Sequence, residues 1–361
     1  MQQAFRLHAQ SDHDGAQRIY ERITTAVPRH PTALQMLASL SFFAGKDIQA
    51  KAYRDRAIRS YRAAVREMPN EVRLRAAFAN LLLSADQIEE AQTHIEAVQL
   101  PLNPLRVGAE AFEGRRAAAA ARGIPVLAMN TIPKSASETI WNHLADGHEL
   151  AQCYVSIGLF PHCTAVPYRL SAASAGGILT KEHLAPSAFN LSTLRRHGVD
   201  RIVVHLRDPR QQLLSWAHFV RDQISRAPMG PLWRQTCPPA SVLAEGLPAI
   251  LDWCIDTYLP HVVKFIEGWH RIAEDRSNGL AVQFCTFEQF RTDPDSYYVR
   301  VQEFLDLPRL EGLGRDEAQT VHMRRGVVDE WREVLSTGQA RRADQRIGRA
   351  LLAAHDWPRA G

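Results

Sequence analysis

Pro133-Lys134-Ser135-Ala136-Ser137-Glu138-Thr139 follows an apolar run, residues 124–129, and leads into Ile140-Trp141-Asn142-His143-Leu144, whose apolar spacing is that of a helix. The order is a strand, a loop of small residues carrying one lysine, then a helix. Such a loop exposes consecutive backbone N–H groups, the helix start adds its unpaired donors and positive dipole end, and Lys134 adds a full charge. An anionic ligand is the first expectation. The five residues before Lys134, Met129 to Pro133, contain no glycine, which weighs against a nucleoside-triphosphate loop of the form GxxxxGK[ST].

At 361 residues, with 45% hydrophobic and 23% charged residues, the chain has the composition of an ordinary globular protein and room for two domains. A net charge of +4 suits a polyanionic nucleotide but lacks the dense basic clustering of a nucleic-acid binder, so no nucleic-acid partner is expected. The five cysteines, Cys153, Cys163, Cys237, Cys254 and Cys285, form no CxxC pair, which points to neither a disulfide framework nor a metal site. The N-terminus has no apolar core of signal-peptide length, and no run of about 18 apolar residues occurs, so a cytoplasmic protein without a membrane span is expected.

Residues 1–104 read as paired helices. Ala16, Tyr20, Ile23 and Pro28 recur as Ala57, Tyr61, Ala64 and Pro69, and again as Ala91, Ile95, Val98 and Asn103, always at spacings of four, three and five. This resembles the second helix of tetratricopeptide repeats. The period is 34 residues from Ala57 to Ala91 and 41 from Ala16 to Ala57; the seven extra residues are about two helical turns, which lengthen a helix without rotating its face. Stacked helix pairs carry no chemistry of their own and suit docking of a protein partner or self-association. Residues 105–123 read as an alanine- and arginine-rich linker helix closed by Gly123. From 124 to 361 the pattern becomes α/β: short β-branched runs at 126–129, 177–180, 202–206 and 280–285 separated by helices, as in a mainly parallel sheet. Two stretches, 145–176 and 221–259, read as irregular and rich in proline and aromatics.

A second anion-binding constellation lies at 201–215. The run Arg201-Ile202-Val203-Val204-His205-Leu206 ends on Arg207, Asp208 and Pro209 are suited to be N-cap and first helical residue, and Ser215 follows Arg207 by eight residues. A strand-end guanidinium and a helix hydroxyl converge on one anion in such a layout. With the first loop, these residues resemble the family of sulfotransferases that use 3′-phosphoadenosine 5′-phosphosulfate (PAPS). PKSASET resembles their 5′-phosphosulfate loop (PKSGTTW or PKTxST), and RDPRQQLLSWAHF their 3′-phosphate motif. His322-Met323-Arg324-Arg325-Gly326-Val327-Val328-Asp329-Glu330-Trp331 resembles the RKGxxGDW element that closes over the same phosphate, with Val328 where a second glycine is frequent. Phe287, in Phe284-Cys285-Thr286-Phe287-Glu288-Gln289-Phe290, occupies the tyrosine position of the family's YEDL turn, and Lys181-Glu182-His183-Leu184-Ala185-Pro186 resembles the KTHLP segment that carries the base.

The resemblance implies a P-loop-type sulfotransferase fold over 124–361, PAPS as donor and adenosine 3′,5′-bisphosphate (PAP) as product, with no metal. It implies donor contacts from Lys134, Ser135, Ala136, Ser137, Glu138, Thr139, Arg207, Ser215, Phe287, Arg324, Arg325 and Gly326. His183 would take the acceptor proton, Lys134 would stabilise the leaving phosphate, and Lys181, on the same side of an extended strand as His183, would polarise the sulfuryl group. Glu138 is the odd member, a carboxylate beside a dianion site, expected to face outward or pair with a cation. A glycan or glycolipid hydroxyl is the first expectation for acceptor, then phenols and alcohols, then peptide tyrosine. The rival expectations are a nucleotide-dependent phosphoryl transferase, which needs an Mg²⁺-binding acid and a true Walker loop, and an inactive nucleotide-binding scaffold.

Overall fold

The computed structural model describes residues 1–224, 236–313 and 326–360. They fall into two compact units, Met1–Val98 with Trp216–Tyr258, and Gln99–Ser215 with Leu259–Gly361. Residues 216–258 thus group with the N-terminal helices despite their distance in sequence.

In the first unit, six helices, Gln2–Ala9, His13–Ala26, Pro31–Phe43, Asp47–Glu67, Val72–Ser84 and Ile88–Ala97, come in pairs joined by one kind of turn. A left-handed residue, Ser11, Gly45 or Asp86, follows the first helix of each pair. The next N–H then reaches back five positions: Asp12 N to Leu7 O at 2.9 Å, Lys46 N to Ser41 O at 2.8 Å, Gln87 N to Leu82 O at 3.0 Å. This bond satisfies a carbonyl that the helix end leaves open. The seven-residue irregularity of the repeat lies in the second helix of the middle pair, where Asp47–Glu67 has 21 residues and His13–Ala26 has 14. Counted from the turn, Ala16, Ala50 and Ala91 are equivalent; Ala57 matches Ala16 only when counted from the far end. All four are 0% exposed, as two whole turns of extra helix require. Tyr61 stacks on Phe78 with ring centres 5.9 Å apart, sealing the middle pair against the next.

The second unit is built on five parallel strands in the order β2-β5-β1-β6-β7: β1 (Val126–Thr131), β2 (Ala151–Cys153), β5 (Ile178–Glu182), β6 (Arg201–Leu206) and β7 (Ala281–Thr286). The four β-branched runs of the sequence are β1, β5, β6 and β7. Every residue of β1 is buried, as expected of a strand covered on both faces. The register sets Asn130 beside Glu182 and Thr131 beside His205, so the ends of β5 and β6 flank the end of β1. Strand order reverses at β1, and the crevice beyond its carboxyl end is where open α/β sheets receive ligands. The expected irregularity of 145–176 is not found: it holds β2, a small antiparallel ribbon of β3 (Ser156–Ile157) and β4 (Thr164–Ala165), and the helix Pro167–Ala173. These pieces are too short to leave a periodic signature. Residues 221–259 likewise include the helices Ala240–Ala244 and Leu247–Trp253.

The helix Ser137–Gly147 packs Ile140, Trp141, Leu144 and Ala145 into a core shared with Leu127 and Met129 of β1 and Leu179 of β5. Trp141 is 1% exposed, and its indole N–H donates to Leu179 O at 2.8 Å, so the docked helix leaves no buried donor unpaired there. The helix Leu259–Glu274 places Gly268 against Pro186, where an added Cβ would come within 2.3 Å of the proline ring. Its neighbour Trp269 donates to Leu184 O at 3.0 Å, which fixes the chain just beyond His183. The helix Ala109–Ala121 precedes β1 and is closed by Gly123, at φ +81°. All five cysteines are buried thiols. None of the described helices is long and apolar enough to cross a membrane.

Candidate functional site

The loop after β1 turns through two left-handed residues, Lys134 at φ 65° and Ala136 at φ 64°. Neither is glycine, and each such conformation costs on the order of 1–2 kcal/mol, so surrounding contacts must hold the loop. They do so through its carbonyls. Gln212 Nε2 donates to Pro133 O at 2.8 Å, Arg207 Nη1 to Lys134 O at 3.0 Å, and His205 Nε2 to Ser135 O at 2.7 Å. Ser135 Oγ donates to Ile132 O at 2.8 Å from inside the loop. Three consecutive carbonyls are therefore each held by a side chain of β6, of Arg207 just beyond it, or of the helix Pro209–Ile224. Ala136, the N-cap of the helix Ser137–Gly147, has no side chain with which to cap it, and the first-turn N–H groups have no partner within the helix itself. Ser135 and Ser137 are buried, and Lys134, Ala136, Glu138 and Thr139 are half-buried.

His205 is fully buried, and burial pulls its pKa down to about 4. A carbonyl only accepts, so the bond to Ser135 O places the proton on Nε2 and leaves Nδ1 as acceptor. The Tyr297 hydroxyl, 2.9 Å from Nδ1, is then the donor. The chain Tyr297 to His205 to Ser135 O runs through a neutral imidazole of fixed tautomer.

Arg207, 7% exposed, also donates through Nη2 to Val327 O at 3.2 Å and lies over the Phe287 ring at 4.1 Å from its centre. Lys134 is close enough to Arg207 that the guanidinium charge, after burial, depresses its pKa. Phe287 is itself 1% exposed within the core, so Arg207 covers its face. Ser215 lies half-buried on the helix Pro209–Ile224. Gly326 has the left-handed φ of 62° and leads into the Val327 carbonyl; Arg324 and Arg325 lie outside the described residues. The segment is anchored at Trp331, whose N–H donates to Gln211 Oε1 at 3.1 Å and whose ring carries Arg210 at 3.9 Å. Arg210 is fully buried between Asp208, at 2.6 Å, and Asp344, at 2.7 Å, a pairing that offsets the cost of removing it from water.

At the end of β5 the alternation of an extended strand sorts the side chains. Glu182 points with Thr180 to one face, where its carboxylate accepts from Val155 N at 2.6 Å and from the Ser156 and Thr180 hydroxyls. Lys181 and His183 take the other. His183 donates from Nδ1 to Thr131 O at 2.6 Å, so its Nε2 carries the lone pair, and burial followed by the Lys181 charge holds its pKa near 4. The imidazole is a neutral base at physiological pH. Lys181 pairs with Glu138 and lies 5.1 Å from the ring centre of Trp141 and 5.7 Å from that of Tyr154.

The fold thus brings Lys134 and Arg207 together at the loop, and sets Lys181 and His183 on one face at the end of the neighbouring strand. His205, Gln212 and Tyr297 were not singled out by the sequence. His205 precedes Arg207 by two residues, so the alternation that pairs Lys181 with His183 would have flagged it as a polar group inside an apolar strand. Gln212 and Tyr297 leave no comparable trace.

No protein-family model matches this chain, and no curated protein does. Among solved structures, that of a mouse sulfotransferase, SULT7A1, complexed with PAP is similar over 62% of this chain and 82% of its own, at 14% identity and a TM-score of 0.42.

Proposed function

We propose that the chain transfers a sulfuryl group from PAPS to an acceptor hydroxyl. The observation that carries this reading is the pair of cations at one loop, half-buried Lys134 and buried Arg207, whose guanidinium donates to Lys134 O at 3.0 Å while side chains also hold the carbonyls of Pro133 and Ser135. A lysine and an arginine set beside the open N–H groups of a helix start suit an anionic ligand. The motif order adds the second phosphate: Arg207 and Ser215 for the 3′-phosphate, Lys134 and the N–H groups from Ser135 to Thr139 for the 5′ group, and Gly326 with Arg324 and Arg325 over the former.

The bound donor supplies a sulfuryl group on a phosphate leaving group. His183 Nε2 takes the acceptor's proton as the new oxygen–sulfur bond forms. Lys134 neutralises the charge that appears on the phosphate oxygen as the old bond breaks, and Lys181 faces the sulfuryl oxygens. No side chain forms a covalent intermediate. Buried cations of fixed position act here in a low dielectric, where their effect on developing charge is largest. We place the acceptor among glycan and glycolipid hydroxyls, and the N-terminal repeat unit, of tetratricopeptide type, as the surface that docks a partner. Incubation with ³⁵S-labelled PAPS and a panel of glycans, phenols and tyrosine peptides is expected to label at least one glycan. Label confined to phenols would move the acceptor class, and transfer of phosphate from ATP to the same panel would overturn the reaction type.

A further inference from the structure

We infer that Glu138 is an internal competitor of the donor, holding the Lys181 ammonium when the site is empty and reclaiming it when the spent nucleotide leaves. The inference rests on the sulfotransferase reading of the site. Lys181 is the cation that β5 sets on the face of His183, its side chain is 8% exposed, and it lies against the Trp141 and Tyr154 rings. An ammonium so far removed from water requires a counter-charge. Among the described residues that counter-charge is Glu138, whose own side chain is 38% exposed and which stands in the first turn of the helix Ser137–Gly147. Glu138 is thus part of the same short helix start that receives the donor's anionic end. One carboxylate occupies the cation, and its charge also opposes any dianion arriving at the loop.

Two consequences follow from the geometry. PAPS must draw Lys181 away from Glu138 before the lysine reaches the sulfuryl oxygens. PAP lacks the sulfuryl group, so after transfer Glu138 regains the ammonium and the lysine's charge is withdrawn from the nucleotide. The carboxylate therefore weakens product binding, and it does so through Lys181 as well as directly.

Titration calorimetry of PAP into the full chain and into E138Q, K181M and the double variant tests this. E138Q is expected to bind PAP at least tenfold more tightly than the unaltered chain, and the same substitution in the K181M background to gain less than half of that on a logarithmic scale. E138S serves as a second variant should E138Q melt early, with the same expected gain. Equal or weaker PAP binding by both Glu138 variants overturns the inference while leaving the sulfotransferase reading intact, because the unaltered chain still binds PAP. A full gain in the K181M background overturns the coupling to Lys181. Absence of PAP binding in all the proteins overturns the reading itself and the inference with it.

Discussion

His183→Ala is expected to slow sulfuryl transfer by a factor of about 10²–10⁴, the usual worth of a positioned general base, while PAP affinity stays within about twofold of the unaltered chain. The split follows from placement. His183 lies at the end of β5, where its Nδ1–H is committed to Thr131 O at 2.6 Å and Nε2 is left for an acceptor, whereas the cations proposed to hold the nucleotide lie on the β1 loop and just beyond β6. The pH dependence has a definite sign. With a folded pKa near 4, the imidazole is neutral throughout the physiological range, so this group imposes no loss of rate near pH 6.5; the rate falls only as pH drops through about 4 and protonation fills the Nε2 lone pair. Steady-state rates with labelled donor from pH 4 to 8 check both parts. A full rate in the variant, or an acid limb near 6.5, would assign the proton to another group.

His205→Phe is expected to destabilise the fold by about 1–3 kcal/mol, the cost of leaving a buried polar group without its hydrogen bond, and to weaken PAP binding at least tenfold. Phenylalanine fills the space but removes both the donor to Ser135 O and the acceptor for the Tyr297 hydroxyl. The left-handed backbone at Lys134 and Ala136 then loses one of three side-chain clamps, and the loop's N–H groups lose their common direction. Tyr297→Phe keeps the clamp on Ser135 O and is expected to lower the melting temperature with a much smaller effect on PAP. Thermal melts with and without PAP separate the two effects. Unchanged PAP affinity in His205→Phe would show that the loop holds its shape without the imidazole.

The contrast between His183 and His205 shows what could be read from sequence. The four β-branched runs declared the parallel sheet, and the loop after the first declared its ligand end, because a strand, a small-residue loop and a helix start are local features. The placement of Lys181 and His183 on one face was legible for the same reason, being fixed by a two-residue alternation along one strand. The clamps were not legible. His205 reaches Ser135 across 70 residues and Tyr297 reaches His205 across 92, distances over which only the folded sheet sets partners. Glu138 was recognised as out of place beside an anion site, but its partner lies 43 residues away and depends on the β1–β5 pairing. Ala136 stands where the loop PKSGTTW has glycine, and its left-handed backbone is held by the clamps on the two preceding carbonyls, which no local pattern shows. The grouping of 216–258 with the N-terminal helices left no mark in the sequence, since every contact that makes it is long-range.

The central claim, that one site holds a nucleotide by two separated phosphates for sulfuryl transfer, is tested most directly by calorimetric titration of the full chain with PAP and, in parallel, with ATP and Mg²⁺. The site as built predicts saturable binding of PAP, at least tenfold tighter than ATP and indifferent to Mg²⁺, because Lys134 and Arg207 supply the charge that a metal supplies elsewhere. Tighter binding of ATP, or a requirement for Mg²⁺, would contradict it.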